Sequence, residues 1–126
     1  MKNLVTLLLI GILFLSFSCQ DKQKENTPEF VTEKFVKAFN TGDFPKMFQY
    51  STKKSDILIK DMQTRKNSEE IEIIKSREIE IAGTTIESQT DSTATCVCEF
   101  TVNKKPAKQT WQLVKENGEW RVALVQ

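Results

Sequence analysis

The chain is predicted to fold as an α+β domain. N-terminal helices pack on one face of an antiparallel sheet of about four strands, preceded by a signal peptide. Three observations carry this. Between Pro28 and Met62 apolar residues recur at three- and four-residue spacing, one face of a helix. From Ile71 onward they alternate, the period of half-buried strands. Asn117-Gly118 is a two-residue turn signal, because a type I′ hairpin needs positive φ at both central residues. Helices followed by a meander of strands give helices on one face of an antiparallel sheet.

Residues 1–18 read as an export signal. Lys2 precedes an apolar run from Leu4 to Phe17, followed by Ser18 and Cys19. As a helix this run spans roughly 21 Å, short of the roughly 30 Å hydrocarbon core. A basic start, a short apolar run and small residues after it fit a cleaved signal rather than a membrane span. Ser16-Phe17-Ser18-Cys19 resembles the lipobox of bacterial lipoproteins, in the loose form familiar in the Bacteroidetes. It departs from the usual pattern in having Ser16 where Leu is common. The resemblance implies a diacylglyceryl thioether on Cys19, which becomes the first mature residue, and membrane attachment through that lipid. Two or more acyl chains anchor stably where one does not. The implied location is the bacterial cell envelope, with the outer membrane favoured over the inner and the leaflet open. Residues 19–27 are then the lipidated cysteine and a polar tether. Gln20–Thr27 (QDKQKENT) has nothing to bury, and as coil it reaches roughly 15 Å.

The domain proper is expected over residues 28–126. Thr27-Pro28-Glu29 supplies a cap, a first-turn proline and an acid at a helix start. Val31, Phe35, Ala38 and Phe39 follow at helical spacing, and Asn40-Thr41-Gly42 stops the helix. Asp43 caps a second short helix with Met47, Phe48 and Tyr50. Ser55-Asp56 starts a third, with Leu58, Ile59 and Met62 on one side, and Arg65–Ser68 is a polar loop.

Ile71-Glu72-Ile73 and Ile79-Glu80-Ile81 alternate as strands, with a bulge expected at Ile73-Ile74. Ala94, Cys96, Cys98, Phe100 and Val102 alternate with Thr95, Val97, Glu99 and Thr101. The Asn117-Gly118 turn pairs Lys115 with Trp120, Leu113 with Val122 and Trp111 with Leu124. A four-residue loop over Asn103–Pro106 sets Cys98 opposite Trp111 and Cys96 opposite Leu113. Both hairpins then bury the same face: Cys96, Cys98, Phe100, Trp111, Leu113, Val122 and Leu124.

Charge and composition narrow the functions. The 18 basic and 17 acidic residues nearly cancel, so no basic footprint points to nucleic acid. The absence of histidine removes Ser-His and Cys-His nucleophiles and histidine metal sites. No pattern asks for a metal or a cofactor. With Cys19 committed to lipid, Cys96-x-Cys98 is neither a redox nor a zinc spacing. Residues i and i+2 of a strand lie nearly 7 Å apart, too far for an easy disulfide. Both are expected to be small buried apolar side chains, a strained i,i+2 disulfide being the alternative.

Pro28–Phe48 (PEFVTEKFVKAFNTGDFPKMF) and Leu113–Val122 (LVKENGEWRV) resemble segments of the superfamily of nuclear transport factor two, ketosteroid isomerase and SnoaL-like proteins. The resemblance extends over Pro28–Gln126, and to the small, lumazine-binding-like lipoproteins of that superfamily. It implies a cystatin-like α+β cone whose sheet curls around the helices and leaves a pocket at the wide end. The motifs report fold rather than chemistry, and no residue matches a family catalytic motif.

Three functions compete. The first is a non-enzymatic domain held at the membrane that binds a small apolar ligand or an envelope protein. Its candidate pocket residues are Phe35, Phe39, Tyr50, Trp111 and Trp120, although aromatics on an inward face are commonly plain core. Trp120, at the hairpin end opposite Lys115, can equally be a half-exposed contact. The second is an isomerase or dehydratase, which needs a carboxylate beside an oxyanion donor such as Tyr50. The third is a homodimeric structural envelope protein. There the outer strip of Val97, Val114, Ala123 and Val125, mixed with Thr95, Thr110, Gln112 and Arg121, meets a second copy.

Overall fold

Residues 26–125 are described by the structure, a computed structural model. The expected signal segment 1–18, Cys19 and the expected tether through Glu25 lie outside the described residues, as does Gln126. The last two tether residues are part of the fold. Asn26 Oδ1 accepts a hydrogen bond from the Trp120 amide at 2.6 Å. Thr27 Oγ1 accepts from the Phe30 amide at 3.2 Å and caps the first helix.

Helix α1 (Pro28–Thr41) starts on that cap and ends at Gly42, whose φ of 67° is the left-handed conformation glycine adopts without penalty. It buries Val31, Thr32, Phe35, Val36 and Ala38. Asp43 Oδ1 accepts from the Lys46 amide and starts helix α2 (Phe44–Tyr50). A single 3-10 turn (Lys53–Ser55) leads into helix α3 (Asp56–Arg65), which buries Ile59. Leu58, expected on the inner side with Ile59, is 39% exposed, and Ile57 is 81% exposed.

The first departure from expectation follows α3. Ile71–Ile73 is not a strand, and there is no bulge at Ile73-Ile74. Ser68–Lys75 forms helix α4. Asn67 Oδ1 accepts from the Glu70 amide at 2.8 Å. Glu69 and Glu70 sit in the first turn and Lys75 in the last, each at the helix end its charge favours. The three isoleucines fit two periods. The cap selects the helical one, which turns Ile71 and Ile74 inward to half-burial and leaves Ile73 59% exposed.

The sheet is a meander of strands β1 (Ile79–Gln89), β2 (Thr93–Val102), β3 (Lys105–Glu116) and β4 (Glu119–Val122), all antiparallel and in sequential order. Two register shifts in β1, at Ile81/Gly83 and Ile86/Ser88, move its inward set from Ile79 and Ile81 to Thr84 and Ile86. Such bulges bend an edge strand and increase its twist. The Asn117-Gly118 turn has φ of 54° and 79°, and Leu113–Val122 and Lys115–Trp120 pair as expected.

The β2–β3 hairpin is tighter than expected. Its turn is Asn103-Lys104 alone, so Cys96 faces Trp111 and Cys98 faces Gln109. The slip is two residues, an even number, so every side chain keeps its face. Trp111 and Leu124 do not pair, because β4 ends at Val122. The Ala123 amide still bonds Gln112, but the Leu124 amide turns to Ser55 Oγ at 3.0 Å. The α2–α3 connection covers the other edge of β4, through a parallel bridge from Ser51 to Val122.

The core lies between α1 and the inner sheet face. Phe35, Ile59, Cys96, Leu113 and Val122 are among its fully buried members. Cys96 and Cys98 are both free and buried. Burial pushes both thiols up from their ordinary 9.0, against the smaller downward pull of the Thr32 and Thr84 hydroxyls. An unfolded chain therefore releases these protons near pH 9 while the folded one keeps them. The thiol contribution to stability is intact below that pH and is lost as pH rises through the raised folded values. Unreduced protein is expected to leave both thiols unreactive toward Ellman's reagent when native and to expose both in denaturant. No reactive thiol in denaturant would mean a disulfide instead.

Candidate functional site

The five aromatics expected to share a pocket fall into two places. Phe35 is 0% exposed and belongs to the core. It meets Trp111 edge-to-face with ring centroids 5.0 Å apart, and it stacks on Phe39 at 6.0 Å. Phe39 meets Trp111 edge-to-face at 5.2 Å. Trp111 is half-buried, with its Nε1 buried and bonded to no acceptor among the described residues. These three rings form one continuous wall.

Tyr50 and Trp120 lie elsewhere, in a groove where the chain enters the domain. There Tyr50 meets Phe30 edge-to-face at 6.4 Å, and Asn26, Gln49 and Arg121 complete the lining. Trp120 is buried, not half-exposed, and Lys115 Nζ stands 5.2 Å from its ring centre. Among the described residues no hydrogen bond joins the Tyr50 hydroxyl to a carboxylate. Glu119 shares the groove but is ion-paired to Arg121 at 3.1 Å.

The cavity with the best claim to a ligand begins at Phe39. It measures about 340 Å³, at the lower end of the range for small-molecule sites. The C-terminal turn of α1 contributes Phe39, Asn40 and Gly42. Helix α2 adds Phe44 and Met47, and the end of α3 adds Met62 and Arg65. Lys66, then Glu70 and Ile74 of α4, then Arg77 beyond α4 close the other side. Its floor is apolar and adaptable, since two of its members are methionines.

Asn40 is held in place by its Nδ2 donating to the Val36 carbonyl at 2.7 Å. It also exchanges two hydrogen bonds with the Gln109 amide, at 3.2 and 3.3 Å. The cavity is thereby tied to β3.

Helix α4 is the most weakly seated wall, because none of its residues is buried. Its Ile74 side chain comes close to Gly42. A Cβ on that residue would lie 3.2 Å from Ile74 Cγ2, and the positive φ would be strained as well. Glycine at position 42 thus serves both the end of α1 and the seating of α4.

Of the five expected pocket residues Phe39 alone lines this cavity, and the side chains at its mouth lie outside that set. Lys66, Glu70, Ile74 and Arg77 reach the cavity only because 68–75 is a helix folded back toward Gly42. The signal for it is Asn67-x-x-Glu70, a cap followed three residues later by an acid. On the outer face, Val97 is already buried, whereas Val114 and Ala123 are half-buried and Val125 is 42% exposed beside Lys53 and Lys54.

Among the described residues no group of three potential ligands could hold a metal ion, and no helix is long and apolar enough to cross a membrane. In comparison with known proteins, no family model matches the chain and no curated protein matches it.

Proposed function

We propose that this is a lipid-anchored envelope protein whose domain binds a small, largely apolar ligand without transforming it. The observation that carries the reading is the cavity of about 340 Å³ behind Phe39, floored by Phe44, Met47 and Met62 and walled through Ile74 by a helix with no buried residue. A wall held by half-buried contacts opens at low cost, which a site for a ligand of this size needs. The lipid on Cys19 supplies the membrane attachment, and the short tether keeps the cavity near the surface where apolar molecules concentrate. Tyr50, the one candidate oxyanion donor, lies in the other groove, away from the cavity. That separation favours binding over isomerase or dehydratase chemistry.

The test is hydrogen exchange on the full-length protein in nanodiscs, with and without added envelope lipid extract. Bound ligand buries Ile74, so amide exchange in Ser68–Lys75 is expected to slow by tenfold or more, about 1.4 kcal/mol of added protection. Unchanged exchange in α4 with saturating extract would count against the reading.

A further inference from the structure

The mouth of the cavity says more about the ligand than its floor does. Three cationic side chains line it, Arg65, Lys66 and Arg77, against one carboxylate, Glu70. In a chain whose 18 basic and 17 acidic residues nearly cancel, this is a local concentration of positive charge. Arg65 is already committed to Asp61 in an exposed i,i+4 pair at 3.0 Å. Among the described residues Lys66 and Arg77 have no ion-pair partner within 4.0 Å, and Lys66 is half-buried. A wholly apolar ligand has no use for such a rim, and a small polar anion has no use for a floor of Phe44, Met47 and Met62.

We infer that the ligand is a single-tailed amphipathic anion, its apolar body on the floor and its carboxylate or phosphate head at Lys66 and Arg77. This rests on the cavity being a ligand site. It adds the charge of the head and the two side chains that read it. A guanidinium presents paired donors to a carboxylate or phosphate, and the Lys66 ammonium adds a second positive charge beside it. Charge-assisted hydrogen bonds are the stronger kind, so their loss is expected to weaken binding by about tenfold or more.

The test uses full-length protein in its own membranes and a photoreactive fatty acid carrying a mid-chain diazirine. Cross-linked residues are located by peptide mass spectrometry. Labelling is expected on the floor, at Met47 or Met62, or on the facing wall at Ile74. Excess laurate or dodecyl phosphate should compete it away, the better competitor identifying the head, whereas methyl laurate should not. The Lys66→Gln/Arg77→Gln double variant should lose labelling by about tenfold with an unchanged melting temperature. Equal competition by the methyl ester, or full labelling of the double variant, would overturn the anionic head while leaving the cavity a ligand site. Absence of floor labelling by both the acid probe and its methyl ester would overturn both.

Discussion

Phe35→Ala is expected to destabilise the domain by about 3–5 kcal/mol, the largest loss from any single truncation in the core. The side chain is fully buried and touches both Phe39 and Trp111. Removing it takes away the transfer free energy of the ring and leaves a void. Its neighbours cannot fill that void, because Trp111 is fixed by its strand and Phe39 by α1. A domain of about 100 residues has roughly 5–15 kcal/mol of stability in all, so this is a large fraction. Thermal melting should show Tm lowered by more than about 12 °C. Phe39→Ala should cost less, because Phe39 is half-buried and borders the cavity. A fall below about 4 °C for Phe35→Ala would mean that the wall of rings does not hold α1 to the sheet.

Cys19→Ala is expected to change location altogether and stability hardly at all. The proposed thioether at Cys19 is the only attachment to the membrane in this account, and two or more acyl chains make such an attachment stable. With alanine there, fatty-acid labelling should fall to background and the protein should move from the membrane pellet to the soluble fraction. Its melting temperature should match that of the parent, because the described core lies entirely between Pro28 and Val122. A Cys19→Ala protein that still takes the label would refute lipidation at this residue.

The parts of the fold that can be read from the sequence are those that local chemistry specifies. Thr27, Pro28 and Gly42 delimit α1 because a cap, a first-turn proline and a left-handed stop act within a few residues. Asn117-Gly118 sets the register of β3 against β4 for the same reason. The β2–β3 turn reads two residues too wide because Lys104 adopts a φ of 68°, a conformation that costs a side-chain-bearing residue about 1–2 kcal/mol. Its support comes from far along the chain. Asn103 clasps Glu78 through two hydrogen bonds of 2.9 Å, its amide donating to the Glu78 carbonyl and its Oδ1 accepting from the Glu78 amide. No local rule foresees that partner.

The site is half legible for a similar reason. Phe39 follows from the apolar face of α1, but its companions at the mouth depend on α4. Ile71, Ile73 and Ile74 satisfy strand and helix periods alike, and the deciding group is the side chain of Asn67. Residue type alone groups Tyr50 and Trp120 with Phe39. The fold separates them because the α2–α3 connection pins that end of the domain to β4.

The cavity behind Phe39 is proposed to hold a ligand. The most direct measurement is native mass spectrometry of the full-length protein released from its own envelope. The same measurement on Met62→Trp, which fills the cavity, supplies the comparison. The parent protein is expected to carry an excess mass that disappears on denaturation and is absent from Met62→Trp. A parent protein without excess mass, or an excess mass that Met62→Trp retains in full, would contradict the proposal.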